Sequence, residues 1–167
     1  MWSYLVAIPL LSLLVILQSA VVSRIPLLEG QADLILLAVL GWSLQERVRG
    51  VWFWVLIGGL AAGLASAMPF GVLMASYLAA VGLASVLKRR VWKVPFLAMI
   101  ASVFLGTLIL DLFSFVAVSL LGTTLPLFDV FNLIVLPSLL LNLLLAVPMY
   151  IVIRDIAGWL YPEELKV

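Results

Sequence analysis

Six apolar runs separated by short polar breaks divide this chain. They cover about 2–22, 33–44, 51–66, 72–87, 94–120 and 131–153, and long runs of this kind predict membrane-spanning helices. The second is the short one. Its dozen residues reach only ~18 Å at the helical rise, against a hydrocarbon core of ~30 Å. It is expected either to be sheltered by its neighbours or to extend at its outer end through Leu27 and Leu28. The break 23–32 carries Arg24, Pro26, Glu29 and Gly30, and the break 121–130 carries Gly122, Thr123, Thr124, Pro126 and Asp129. Pro69 and Gly71 predict a tight turn between the third and fourth runs. Pro137 and Pro148 fall inside the sixth. Each removes a backbone donor, so kinks are expected there, with neighbouring helices taking up the freed carbonyls. The pattern predicts an all-α polytopic membrane protein with six transmembrane helices in a single domain, 1–167. The tail 154–167 mixes Ile156, Trp159, Leu160 and Tyr161 with charged residues and is expected to lie at the membrane interface. The halves 1–87 and 88–167 share no repeat.

Basic residues give this pattern a direction. Arg47 and Arg49 follow the second run, Lys88, Arg89, Arg90 and Lys93 the fourth, and Arg154 and Lys166 the sixth; Arg24 alone falls on the other side. Short cytoplasmic loops collect Lys and Arg, which places both termini inside. With that topology Trp2, Trp42, Trp52, Trp54, Trp92 and Trp159 all fall near the cytoplasmic interface, where an indole is favoured. Lys88-Arg89-Arg90-x-x-Lys93 could also meet anionic lipid headgroups, but topology already accounts for it. The first run could be mistaken for a signal peptide. Met1 to Ser3 holds no basic side chain, however, and the apolar run is long enough to span, so a retained helix is expected.

Composition narrows the chemistry. Of the residues, 66% are hydrophobic and 10% charged, too apolar for a water-soluble domain. The net charge of +1 gives no basis for a nucleic-acid partner. The chain has no Cys and no His, which removes disulfides, thiol nucleophiles, imidazole bases and the commonest zinc ligands. No HExxH, Gly-x-Ser-x-Gly, P-loop or dinucleotide fingerprint occurs. Glu163-Glu164 lies in the tail, too exposed for an intramembrane acid–base pair. No enzyme, cofactor or metal is expected.

Three groups of residues stand out. Gly59 and Gly63 sit one turn apart, and Ala62 and Ser66 continue a strip of small side chains. Such a strip lets another backbone approach closely, either within the bundle or from a partner's helix. Asp111 is the one carboxylate well inside a span, with Thr107 and Ser114 on its face. With no second deep charge to form a relay, hydrogen bonding in the bundle or at a partner contact is the expected role. Asp33 opens the second span, where a carboxylate caps the first amides of a helix. Asn142, four residues after Ser138, marks a polar strip on span six suited to interhelical hydrogen bonding.

These features resemble the MreD family of bacterial rod shape-determining proteins. That family commonly opens its second span with an Asp-Leu pair, matched by Asp33-Leu34 within Gln31 to Leu37, with Ala32 where Pro is usual. Its glycine-rich third span is matched by Gly59 to Leu64, and the Gly, Tyr and short basic loop that follow by Gly71, Tyr77 and Lys88 to Arg90. The Pro and Asn of its last span are matched by Pro137 and Asn142. Members often carry an acidic residue after the Gly-Leu of span three, where this chain has Ala65, Ser66 and Ala67. The resemblance implies a non-enzymatic scaffold of the cell-elongation complex in the bacterial inner membrane. It would partner MreC, a protein with a single membrane helix, and through it the polymerase RodA and its transpeptidase, with MreB filaments on the cytoplasmic side. The implied fold is similar to the substrate-binding S components of energy-coupling-factor vitamin transporters. Such an S component is also the alternative function, although a vitamin pocket needs convergent polar groups and only Asp111, Asn132, Asn142, Thr107 and a few others are on offer.

Overall fold

The computed structural model describes residues 2–20, 28–46, 48–90, 95–123 and 126–162, with backbone alone at 2–4 and 90. Arg24, Arg47, Trp92, Lys93, Thr124, Glu163, Glu164 and Lys166 lie outside the described residues. The elements are α1 (Trp2–Ala20), α2 (Leu34–Leu44), α3 (Val51–Ala65), α4 (Phe70–Arg90), α5 (Pro95–Leu120) and α6 (Leu127–Leu160). Helices α4, α5 and α6 are long and apolar enough to cross a membrane, and α1, α2 and α3 are shorter and equally apolar. This is a helical membrane protein.

The short second run resolves by shelter. All eleven residues of α2 are buried, and α2 packs against each of the other five helices. Around it the neighbours run α1, α3, α4, α5, α6 in order of contact. Each turns a narrow stripe inward and leaves large apolar side chains to the lipid. On α1, Ala7, Leu11 and Leu14 are buried at helical spacing while Leu5, Ile8, Leu13 and Ile16 are exposed. On α4 the stripe is Leu73, Tyr77, Ala80, Val81 and Ala84. No outward extension of α2 occurs at Leu28, which instead sits in a turn with φ 56°.

Several boundaries differ from the expected ones. Gly71 belongs to α4, which opens at Phe70 with Val72 N–H donating to Pro69 O at 2.9 Å, so Gly71 is not part of a turn. Helix α6 runs from Leu127 to Leu160, roughly 51 Å at the helical rise, taking in the first half of the expected interfacial tail. The four tryptophans whose side chains are described divide in two. Trp52 and Trp159 are exposed on the bundle surface, whereas Trp42 and Trp54 are fully buried. Their rings stack at 3.9 Å and 12°, joining the end of α2 to the start of α3.

Pro137 leaves a visible mark. Its missing N–H would have been the partner of Leu133 O four residues back, and here the helix widens into a π-turn over Phe131–Val135. Leu136 N–H reaches back to Phe131 O. Leu133 O instead accepts from Glu29 N–H at 3.0 Å. The donor for this freed carbonyl is therefore a loop, where a neighbouring helix was expected.

Candidate functional site

The polar residues picked out along the chain converge where α2 begins. Residues 29–33 run without helix along α6, turning at Glu29 and extended at Asp33, and alternate amides face it. Glu29 N–H donates to Leu133 O, Gln31 N–H to Ser138 Oγ at 3.2 Å, and Asp33 N–H to Asn142 Oδ1 at 2.8 Å. The spacing has a simple basis. Two residues of extended chain rise ~6.6 Å, and four residues of helix ~6 Å, so amides at 31 and 33 keep step with side chains at 138 and 142. Gly30 permits the approach, since a Cβ there would lie 2.6 Å from both Pro137 Cβ and Ser138 N. Non-helical backbone at this depth is tolerated only where protein groups satisfy it.

Asp33 then turns this segment into a helix. Its Oδ1 accepts from Leu36 N–H at 2.9 Å, and its Oδ2 accepts from Tyr77 OH at 2.6 Å. Gln18 on α1 takes another orphan amide, Leu34 N–H, through Oε1 at 2.9 Å. Asn142 Nδ2 donates onward to Thr107 Oγ1 on α5 at 3.0 Å. One cluster thus ties α1, α2, α4, α5 and α6 together, and its members Asp33, Tyr77, Thr107, Ser138 and Asn142 are all buried.

The other end of α2 is closed as carefully. Lys88 Nζ on α4 donates to Ser43 O and Gln45 O, a cation at the negative end of the helix dipole. Gln45 N–H donates to Trp42 O, and Gln45 Nε2 to Gly41 O. Tyr77 and Lys88 stand eleven residues apart on α4, the same as the length of α2, so α4 grips both ends of a parallel helix. Lys88 therefore holds α2 as well as marking the basic end.

The glycine strip faces inward. A Cβ on Gly59 would meet Met74 Sδ at 3.0 Å, and one on Gly63 the Phe70 ring at 2.5 Å, both on α4. Ala62 is buried towards the core, while Ser66 Oγ accepts from Met68 N–H in the turn that follows. Gly58, on the neighbouring face, packs against Val39 and Ile35 of α2.

Asp111 stands apart. It lines a crevice of about 370 Å³ between α5 and α6 with Leu108, Leu112, Phe115, Leu127 and Phe131. Its Oδ2 is shut off from solvent and has no hydrogen-bond partner among the described residues. Thr107, expected as a companion, is engaged by Asn142 instead. A second cavity of about 280 Å³ opens between α1, α2 and α3, with Gln18, Ser19, Gln31 and Ser66 in its wall.

This arrangement holds a structure in place. Both oxygens of Asp33 and the amides at the start of α2 are taken up by the protein itself, so the half-helix end offers no free anion site of the kind transporters use. No group of three or more potential metal ligands occurs among the described residues. The sequence signalled Asp33 and Asn142 separately but not their union, nor the roles of Gln18 and Tyr77, whose partners lie 16 and 44 residues away. No protein-family model matches the chain, and neither does any curated protein or solved structure.

Proposed function

We propose that this chain is a six-span membrane scaffold of the MreD type, with both termini in the cytoplasm of a bacterial cell. In this reading it binds the membrane helix of an MreC-type partner and serves the cell-elongation complex, without chemistry of its own. One observation carries it. Asp33, Tyr77 and Asn142, three positions that carry the resemblance, belong to a single hydrogen-bonded cluster although they lie on three different elements. Short motifs scattered at random along a chain have no reason to meet.

Other features support the same reading. Most of the buried polar side chains serve to seat α2, and a large apolar exterior is left. Lys88 is placed at the end of α2, and Arg154 lines a cavity there with Gln45 and Glu46, so the basic groups gather at one end. That clustering supports a cytoplasmic assignment for it. The cavity beside Gln18 and Gln31 is what favours the second reading, a vitamin-transporter S component.

Depletion of the protein in the cell that encodes it separates the two. The scaffold reading predicts that rod-shaped cells widen and round up within a few generations, whatever vitamins the medium supplies. Normal shape combined with a vitamin requirement would establish the transporter reading instead.

A further inference from the structure

The strip of small residues on α3 is filled by α4, through Met74 and Phe70, so a partner helix must dock elsewhere. The crevice between α5 and α6 combines two properties that the rest of the surface does not show together among the described residues. Its rim is apolar and exposed: Leu112 is 58% accessible, Leu127 70% and Phe131 51%. Its wall carries a carboxyl group, Asp111, with a covered oxygen that no donor meets. A polar group at membrane depth without a partner is costly, more so than the apolar surface around it.

We infer that this crevice is the docking site for a transmembrane helix of another protein, one that presents a hydrogen-bond-donor side chain to Asp111. This rests on the scaffold reading and gives it a location. The donor requirement follows from the carboxyl group, which keeps acceptor capacity whether or not it is ionised. A donor entering the crevice pairs the carboxyl group from the crevice side, the covered Oδ2 itself being out of reach. Depth argues for a protein helix over a lipid. Asp111 lies nine residues before the end of α5 at Leu120, or ~14 Å along the helix. A phospholipid carries its donors in the headgroup at the interface, whereas a neighbouring helix can present one at any level. A helix also buries the rim side chains that α5 and α6 leave uncovered.

A photo-crosslinking residue placed singly at Leu112, at Phe131 and, on the distant face of α3, at Leu56 tests this in native membranes. Each probe is combined with Asp111, Asp111→Asn and Asp111→Leu, and adducts are identified by mass spectrometry. Size-exclusion elution confirms that each variant is folded. The expected result is capture, from Leu112 and Phe131 only, of a peptide from another protein's membrane helix, with a donor side chain within one turn of the adduct. Asp111→Leu should lower the yield roughly tenfold, equivalent to about 1.4 kcal/mol. Asp111→Asn keeps an acceptor oxygen and should retain it. Adducts to lipid or to a second copy of this chain alone, or a yield indifferent to Asp111→Leu, overturn the inference. Capture of an MreC-type helix from Leu56 instead removes the crevice but leaves the scaffold reading standing. Asp111-dependent capture of an unrelated membrane helix does the opposite.

Discussion

Asp33 concentrates more structure than any other residue of the chain. Its backbone N–H is held by Asn142, one carboxyl oxygen caps α2, and the other takes the Tyr77 hydroxyl. Asp33→Ala should therefore destabilise the bundle by about 2–4 kcal/mol, combining a lost cap of ~1 kcal/mol with a buried hydroxyl left unpaired. Tyr77→Phe keeps the cap and should lower stability by about 1–3 kcal/mol. Thermal unfolding in detergent reads both, and an unchanged midpoint for Asp33→Ala would show that the cluster is incidental. The cap was legible in the sequence, because a carboxylate directly before an apolar run has few other uses. The tyrosine was not, because nothing local marks which hydroxyl will face a carboxylate 44 positions away. Asn142 was legible as part of a polar strip, but one of its two partners is a backbone amide, and amides have no signature in a sequence.

At the scale of elements, the unusual unit is the non-helical segment 29–33 laid along α6 and continued by a short helix. Periodicity found α2 almost to the residue, since the expected run 33–44 became the cap Asp33 and the helix Leu34–Leu44. Periodicity could not show that the approach to it lies along α6, as the signal there is the placement of Gly30 against Pro137, a tertiary coincidence. The glycines give a sharp contrast. Gly30→Ala would push a Cβ into Pro137 and Ser138 and should lose about 1–3 kcal/mol, whereas Gly82 has nothing within 4 Å of its Cβ position. Gly82→Ala should leave stability unchanged or raise it by up to ~1 kcal/mol through helix propensity. Equal melting of the two variants would contradict the close approach of 29–33 to α6. Replacing both Gly59 and Gly63 by Leu should collapse folding, visible as aggregation on size exclusion, because Met74 and Phe70 already occupy that face.

For the whole molecule, the apolar pattern foretold a membrane-embedded helical bundle. It could not foretell that one helix would be a fully enclosed shaft gripped by α4 at both ends. Nor did it show that Trp42 and Trp54 stack in the core, because an indole near a helix end suits an interface and a buried contact equally. The native chain has no Cys, so single cysteines report orientation cleanly. In intact cells Thr123→Cys should react with a membrane-impermeant maleimide, while Glu46→Cys and Gly158→Cys should react only after permeabilisation. The reverse labelling would invert the proposed topology.

The central claim is that this bundle is a scaffold for an MreC-type membrane partner. The most direct measurement is mild-detergent purification of the tagged full chain from its native membrane, followed by mass spectrometry of what accompanies it. The account predicts an MreC-type protein in near-equal amount. Recovery of ATPase and transmembrane coupling subunits, or of a bound vitamin, would contradict it.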